Sequence, residues 1–189
     1  MITTLSKKFA HFLISVSNTK PETDLIEVYI YGLECFLNTS ITVLILFICG
    51  LLTNTLLEIF FWIVGFSILR HHSGGLHAPT QFSCIITSCL LGISNCLVTE
   101  FISYQAIHAC VICTFCIMIC ILYAPTDTSK YELTESKRTK EKLYSVSILI
   151  IEFAIAFILK NKISISLLYS NVCVCILLLT KVIIRKVKT

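Results

Sequence analysis

"CFLNTSITVLILFICGLLTNTLL", residues 35–57, is a run of 23 uncharged residues between Glu34 and Glu58. A helix needs about 20 apolar residues to cross the hydrocarbon core of a bilayer, so this run predicts a membrane span. The whole chain agrees: 56% of its 189 residues are hydrophobic and 14% are charged. In an ordinary soluble domain about a quarter of the residues are charged, so this composition excludes an ordinary soluble domain.

Charged residues divide the rest of the chain into five further apolar segments, which are residues 59–69, 78–99, 101–126, 143–159 and 163–180. The 11 residues of the first of these are too few to cross a bilayer. This helix must therefore recruit polar flanking residues, tilt, or lie partly inside the protein. We predict an all-α integral membrane protein with about six transmembrane or membrane-embedded helices.

The N-terminal region is predicted to lie at the membrane surface. At about 100° per residue, Phe9 and Phe12 share one face of a helix and Lys8 turns away, which is typical of an amphipathic helix. A frayed terminus is the alternative. We expect residues 1–34 to form cytoplasmic or interfacial helices and residues 35–189 to form the helical bundle of a single membrane domain. No cleavable signal peptide is expected.

The positive charges predict the orientation, because short cytoplasmic loops of membrane proteins collect Lys and Arg. With six spans, 13 of the 15 Lys and Arg residues lie on the side of both termini, and only Lys160 and Lys162 lie opposite. The side with 13 is predicted to be cytoplasmic. It holds a basic loop, residues 125–142, whose five cations include Lys130, Lys137 and Arg138.

Eleven cysteines raise the question of a metal site. The run "CVICTFCIMIC", residues 110–120, has the spacing of an iron–sulfur signature. It lies inside a 26-residue apolar segment, where a helix is required because unpaired backbone groups are costly in lipid. We therefore interpret these cysteines as small packing residues and expect no metal or cofactor.

The segment "RHHSGGLHAPTQFSC", residues 70–84, combines unusual residues at one membrane border. Pro79 suits the first turn of a helix and disfavours helical geometry in the residue before it. The next helix is therefore predicted to start near Pro79, which puts Cys84 in its second turn. Cellular reductants would keep a thiol at the cytoplasmic border free.

His77 is the first choice as a base for that thiol. In one straight helix His77 and Cys84 would lie about 10 Å apart along the axis, whereas proton transfer needs about 3 Å or one bridging water. Gly74 and Gly75 tolerate positive φ, so the chain can reverse before Pro79. The spacing thus predicts a loop that returns the imidazole to the thiol. Backbone amides near Cys84 are the simplest oxyanion donors.

Several alternatives remain open from the residues alone. One alternative is that the segment is a plain polar loop without a catalytic role. Another is that His71 or His72 is the base. A third is a zinc site formed by His72, His77 and Cys84, although no standard ligand spacing supports it. Arg70 either marks the end of a span or uses its planar fork to hold a substrate carbonyl or acidic group.

Glu152 is the other polar residue out of place, because it lies in the middle of an apolar segment. A carboxylate there is costly and usually faces the protein interior or a wet cavity. It is expected to line a route for a peptide or to hold a structural partner.

The 70–84 segment resembles the signature of accessory gene regulator B proteins, which are membrane cysteine endopeptidases of bacterial peptide quorum sensing. The matching residues are Arg70, Gly75, His77, Ala78, Pro79 and Cys84. The likeness extends to chain length, several spans and a basic loop downstream. It implies a protein of the bacterial cell membrane, with its catalytic segment at the cytoplasmic face, that forms a homodimer.

The resemblance also implies a reaction. The substrate is an AgrD-like propeptide with an amphipathic leader, a central segment and an acidic tail. His77 would deprotonate Cys84, which attacks the carbonyl before the tail and forms a thioester. A substrate thiol then closes a thiolactone ring. From charge alone, Lys130, Lys137 and Arg138 are hypothesised to attract the acidic tail, and a merely solvated loop is the alternative. No nucleic acid partner is expected.

Two rival classes predict different outcomes on mutation. A polytopic peptide transporter without proteolytic activity would tolerate Cys84→Ala with little loss of flux. A non-catalytic membrane partner would tolerate the loss of both Cys84 and His77.

Overall fold

The computed structural model describes residues 2–16, 23–76, 80–126 and 134–188. Within these ranges every regular element is an α-helix, which confirms the predicted all-α membrane protein. The seven described helices are α1 (Ile2–Val16), α2 (Thr23–Thr53), α3 (Leu56–Ser73), α4 (Gln81–Phe101), α5 (Ala106–Tyr123), α6 (Glu135–Leu159) and α7 (Lys162–Lys188).

Five of the described helices are long and apolar enough to cross a membrane. They are α4, α5, α6, most of α2 (Tyr29–Thr53) and most of α7 (Lys162–Val187). α3 is not among them, but it buries a strip of six residues, Ile59, Trp62, Gly65, Phe66, Leu69 and Ser73. This burial agrees with the expectation that the short segment 59–69 lies partly inside the protein. The prediction that both termini are cytoplasmic needs α3 as the sixth crossing.

The chain forms two compact units. Unit 1 contains residues 1–45 and 78–89, and unit 2 contains residues 46–77 and 90–189. α2 and α4 contribute residues to both units, and the expected boundary after residue 34 falls inside α2.

In unit 1, α1 buries its small residues and exposes its aromatic ones. Ser6 and Ala10 are fully buried, whereas Phe9 is 51% and Phe12 is 60% exposed. The two phenyl rings lie side by side with centroids 6.3 Å apart. An exposed aromatic face is what a helix at the lipid surface requires.

In unit 2, the core lies where α3, α6 and α7 meet. α3 packs mainly on α7 and also on α6, while α5 packs on both α6 and α7. Trp62 and Phe66 of α3 are buried and their rings stack at 4.8 Å. α7 is the central helix of this core because it packs on α3, α5 and α6, and α3 belongs to the core although it is not one of the five long apolar helices.

Gly65 allows α3 to approach its neighbours closely. A Cβ at this position would lie 2.8 Å from Ser170 Oγ and 3.3 Å from Glu152 Oε1. Small residues permit such close helix contacts in membranes. Glu152 is 7% exposed and faces the interior, which confirms this part of the sequence interpretation.

The cysteine-rich run is helical, as predicted. Cys110 is exposed, Cys113 is half-buried, and Cys116 and Cys120 are buried in the core. No thiol in the described part of the chain forms a disulfide. Over the same residues, no group of three or more His, Cys, Asp or Glu is arranged to hold a metal ion.

The basic segment 125–142 differs from the expected loop. Lys130 lies outside the described residues, but the chain is helical from Glu135 onwards, so Lys137 and Arg138 belong to α6. The physical reason is composition, since Glu, Lys and Arg are strong helix formers. Glu135 in the first turn also stabilises the positive end of the helix dipole.

Candidate functional site

The end of α3 is shaped by two glycines. Gly74 has φ 75° and ψ −145°, and Gly75 has φ 132°, so both take the positive φ expected from the sequence. The Gly74 N–H donates to the Arg70 carbonyl at 3.0 Å and closes the helix. Side-chain-bearing residues rarely adopt such angles, so the turn out of α3 depends on glycine.

Thr126, which follows α5, holds this turn through two hydrogen bonds. Its Oγ1 accepts from the Gly75 N–H at 3.0 Å, and its own N–H donates to the Ser73 carbonyl at 3.2 Å. A Cβ on Gly74 would lie 2.7 Å from the same Oγ1. Gly74 is therefore needed both for its backbone angles and for this close approach.

Leu76, the last described residue before His77, is fixed through both of its backbone groups. Its N–H donates to the Leu177 carbonyl of α7 at 3.1 Å, and its carbonyl accepts from Arg70 Nη2 at 2.5 Å. The Arg70 guanidinium also lies over the Phe66 ring, 5.5 Å from its centroid. Besides the Gly74 bond that closes α3, four hydrogen bonds thus hold the chain between Ser73 and Leu76.

Arg70 therefore binds a carbonyl of its own chain, a contact that was not among the sequence-based alternatives. Arg70, Gly74 and Gly75 all belong to the turn at the end of α3. Glu152 belongs to a different set of contacts, in the core beside Gly65. His77 and Pro79 lie outside the described residues, so the place of the imidazole stays a prediction.

Thr80 caps the helix that carries the predicted nucleophile. Its Oγ1 accepts from the Ser83 N–H at 3.2 Å, and its carbonyl accepts from the Cys84 N–H at 3.0 Å. Cys84 is the fourth residue of α4, half-buried and free. A hydroxyl cap of this kind stabilises a helix start, and sequence reasoning overlooked it in favour of Pro79.

The cap has a consequence for the proposed oxyanion donors. The backbone amides of Ser83 and Cys84, which lie nearest to the thiol in the sequence, donate to Thr80. They are engaged in the helix start rather than directed at a substrate. An oxyanion would need other donors.

The two histidines considered as alternative bases differ in their surroundings. His72 Nδ1 lies 2.6 Å from Glu141 Oε2 of α6, and its ring is 5.3 Å from that of Tyr144. His71 is exposed. Of these two histidines, His72 is therefore the one that pairs with a carboxylate. The sequence analysis missed Glu141 because it is one of several acidic residues in a charged segment.

The basic residues are only partly placed. Lys137 is exposed and Arg138 is half-buried on the first turns of α6, whereas Lys130 lies outside the described residues. Lys137 is therefore accessible to a charged partner.

Known proteins similar to this chain share one family. A family model described as accessory gene regulator B matches residues 6–183. A putative AgrB-like protein of Clostridium perfringens strain SM101 is 30% identical over 80% of this chain and 73% of its own length. The accessory gene regulator protein B of Staphylococcus carnosus is 25% identical over 69% of this chain and 68% of its own. No solved structure matches. The chain belongs to the accessory gene regulator B family.

Proposed function

We propose that this protein is a membrane cysteine endopeptidase that cleaves the C-terminal tail from an AgrD-like quorum-sensing propeptide and promotes thiolactone cyclisation. The observation that carries this proposal is the four-bond anchoring of the chain directly before His77. Such anchoring gives the segment that leads into His77 the fixed geometry that a catalytic base requires. The family membership supplies the substrate class.

The reaction follows from the residues in proposed roles. His77 takes the proton of the Cys84 thiol, and the sulfur attacks the carbonyl that joins the central segment to the tail. The peptide C–N bond breaks, the imidazolium gives its proton to the leaving nitrogen, and a thioester remains on Cys84. His77 then takes the proton of a substrate thiol, whose sulfur attacks the thioester and forms the thiolactone. The C–S bond to Cys84 breaks, and the imidazolium returns the proton to the Cys84 sulfur.

The start of α4 supports Cys84 as the nucleophile. The Thr80 cap fixes the first turn of the helix, so the backbone that carries the Cys84 side chain is held in place. The thiol is free and half-buried, which leaves it open to a substrate on one side. The helix dipole contributes weakly to a thiolate at this position.

Arg70 and Thr126 support the proposal as positioning residues. Arg70 holds the Leu76 carbonyl and Thr126 holds the Gly75 N–H, so each acts on the backbone that leads into His77. An imidazole that must meet a thiol within about 3 Å needs such a rigid approach.

The proposal includes a location and an assembly. We place the protein in the bacterial cell membrane as a homodimer, with both termini and the 70–84 segment on the cytoplasmic side. Lys137, Arg138 and Lys130 would then attract the acidic tail of the propeptide on that side.

The experiment uses the full chain in liposomes with a synthetic propeptide, and follows tail release by mass spectrometry. Cys84→Ala and His77→Ala should each lower the rate by at least about a thousandfold. The matched controls are Cys89→Ala on the same helix and His71→Ala in the same segment, which should retain activity. Tail release by Cys84→Ala at the wild-type rate would refute Cys84 as the nucleophile. No tail release by the wild-type protein would refute the peptidase and leave the transporter interpretation.

A further inference from the structure

Tyr31 of α2 lies near the proposed nucleophile. Both residues belong to unit 1, which contains residues 1–45 and 78–89. The Tyr31 hydroxyl is hydrogen-bonded to the Cys35 thiol, one helical turn further along α2. It also lies near enough to the Cys84 thiol of α4 for the two groups to interact electrostatically. Unit 1 therefore brings a phenol hydroxyl to the thiol that the proposed reaction uses.

The two side chains also occupy matching positions in their helices. Tyr31 is the third residue of the apolar span of α2, Tyr29–Thr53, and Cys84 is the fourth residue of the span of α4, Gln81–Phe101. The N-terminal ends of the two spans are therefore neighbours. Tyr31 is 62% exposed and Cys84 is half-buried, so a substrate can reach both groups.

The proposed reaction needs a hydrogen-bond donor that the start of α4 does not supply. When the Cys84 sulfur bonds to the scissile carbonyl carbon, an electron pair of the C=O double bond moves to the oxygen, which becomes an oxyanion. Donors stabilise this charge more than they stabilise the neutral carbonyl. The Ser83 and Cys84 amides already donate to Thr80, so the donor must come from elsewhere.

A tyrosine suits this task. Its hydroxyl keeps the proton at neutral pH, and the sulfur of Cys35 is only a weak hydrogen-bond partner. Exchanging that sulfur for an oxyanion gives the hydroxyl a stronger, charge-assisted bond. We propose that Tyr31 is a further catalytic residue, which donates a hydrogen bond to the oxyanion formed on the propeptide. The proton stays on Tyr31, and the leaving nitrogen still receives its proton from His77. This role rests on the peptidase activity proposed above.

The test measures tail release by the full chain in liposomes with the synthetic propeptide. Tyr31→Phe keeps the ring and should lower kcat about a hundredfold with KM nearly unchanged, because the oxyanion exists only after the attack. Tyr29→Phe is the matched control. This tyrosine is 54% exposed and lies about 200° away around α2, so the variant should keep the wild-type rate.

Cys35→Ala separates catalysis from a structural role of the hydroxyl. The variant removes the present partner of Tyr31 but leaves the donor, so its kcat should stay within about twofold of wild type. If the hydroxyl served only to hold Cys35, Cys35→Ala and Tyr31→Phe would be equally harmful.

Two further measurements identify the atom on which Tyr31 acts. A thiocarbonyl at the scissile bond accepts hydrogen bonds weakly, so with this propeptide the difference between wild type and Tyr31→Phe should shrink severalfold. Alkylation of Cys84 by iodoacetamide, followed on the Cys84 peptide by mass spectrometry, should proceed equally in the two proteins, because the hydroxyl acts on the substrate oxygen.

Several results would overturn the role of Tyr31 and leave the peptidase standing. They are a wild-type kcat in Tyr31→Phe, an equal loss in Tyr29→Phe or Cys35→Ala, an undiminished effect with the thiocarbonyl, and an alkylation rate that falls with the cleavage rate. The absence of tail release by the wild-type protein would instead refute the peptidase, and the catalytic role of Tyr31 with it.

Discussion

The Gly75 N–H donates a hydrogen bond to Thr126 Oγ1 at 3.0 Å, across 51 positions of sequence. The bond fixes the backbone two residues before His77 to the segment that follows α5. Thr126 returns a second bond to the Ser73 carbonyl. A residue outside the 70–84 segment thus shapes the approach to the proposed base.

Two substitutions of Thr126 should distinguish the contribution of its hydrogen bond from the contribution of its side-chain shape. Thr126→Val keeps the shape but removes the acceptor for Gly75, and the loss of about 0.5–1.5 kcal/mol should slow tail release by up to about tenfold. Thr126→Ser keeps the hydroxyl and should stay within about twofold of wild type. Rates are measured in liposomes at matched protein levels. Equal rates for Val and Ser would show that the bond has no part in activity.

Gly74→Ala should be far more harmful than an ordinary glycine substitution. The alanine would take φ 75° and ψ −145° and place its Cβ 2.7 Å from Thr126 Oγ1. We expect the free energy of unfolding to fall by about 1–3 kcal/mol. Gly32→Ala in α2 is the control, because a Cβ there meets nothing within 4 Å. Comparable unfolding midpoints for the two variants would contradict the strained turn.

Arg70→Lys should distinguish positioning from substrate binding. Lysine keeps the charge but loses the planar fork that holds the Leu76 carbonyl. If Arg70 positions the loop, kcat for tail release should fall about tenfold with KM nearly unchanged. A raised KM at constant kcat would instead assign Arg70 to the substrate. The control, Lys162→Gln, removes an exposed cation and should change neither constant.

Lys137 should contribute to propeptide binding through charge. Each exposed ion pair contributes about 0.2–1 kcal/mol, so Lys137→Gln should raise KM about 1.5- to 5-fold. Higher ionic strength should weaken wild-type binding and shrink the difference. The measurement is KM at two salt concentrations with propeptides that carry acidic or neutralised tails. If KM for the acidic tail did not change with salt, electrostatic attraction would be excluded.

Most of the helices could be predicted because a bilayer leaves the backbone few choices. Uncharged runs such as residues 35–57 must form helices in lipid, where unpaired N–H and C=O groups are costly. The glycine turn was also predictable, since Gly74 and Gly75 carry their conformational freedom in the sequence. The expected loop covered residues 125–142, and it was wrong from Glu135 onwards, where strong helix formers start α6.

The contacts that hold the site could not be predicted from one sequence. Hydropathy shows which residues are buried but not which helices pack together. No pattern in the sequence therefore predicts the hydrogen bonds of Gly75 to Thr126 and of Leu76 to Leu177. The same is true of the pairing of His72 with Glu141. The Thr80 cap was the exception, because a threonine directly before a helix can be read from sequence.

The most direct test of the central claim is to identify the residue that carries the acyl group. Wild-type protein is mixed with propeptide, quenched in acid, digested and analysed by mass spectrometry with and without hydroxylamine. We expect the tail-less peptide on Cys84, removed by hydroxylamine, absent from Cys84→Ala and greatly reduced in His77→Ala. Its persistence in Cys84→Ala, or its attachment to another residue such as Cys89, would contradict the claim.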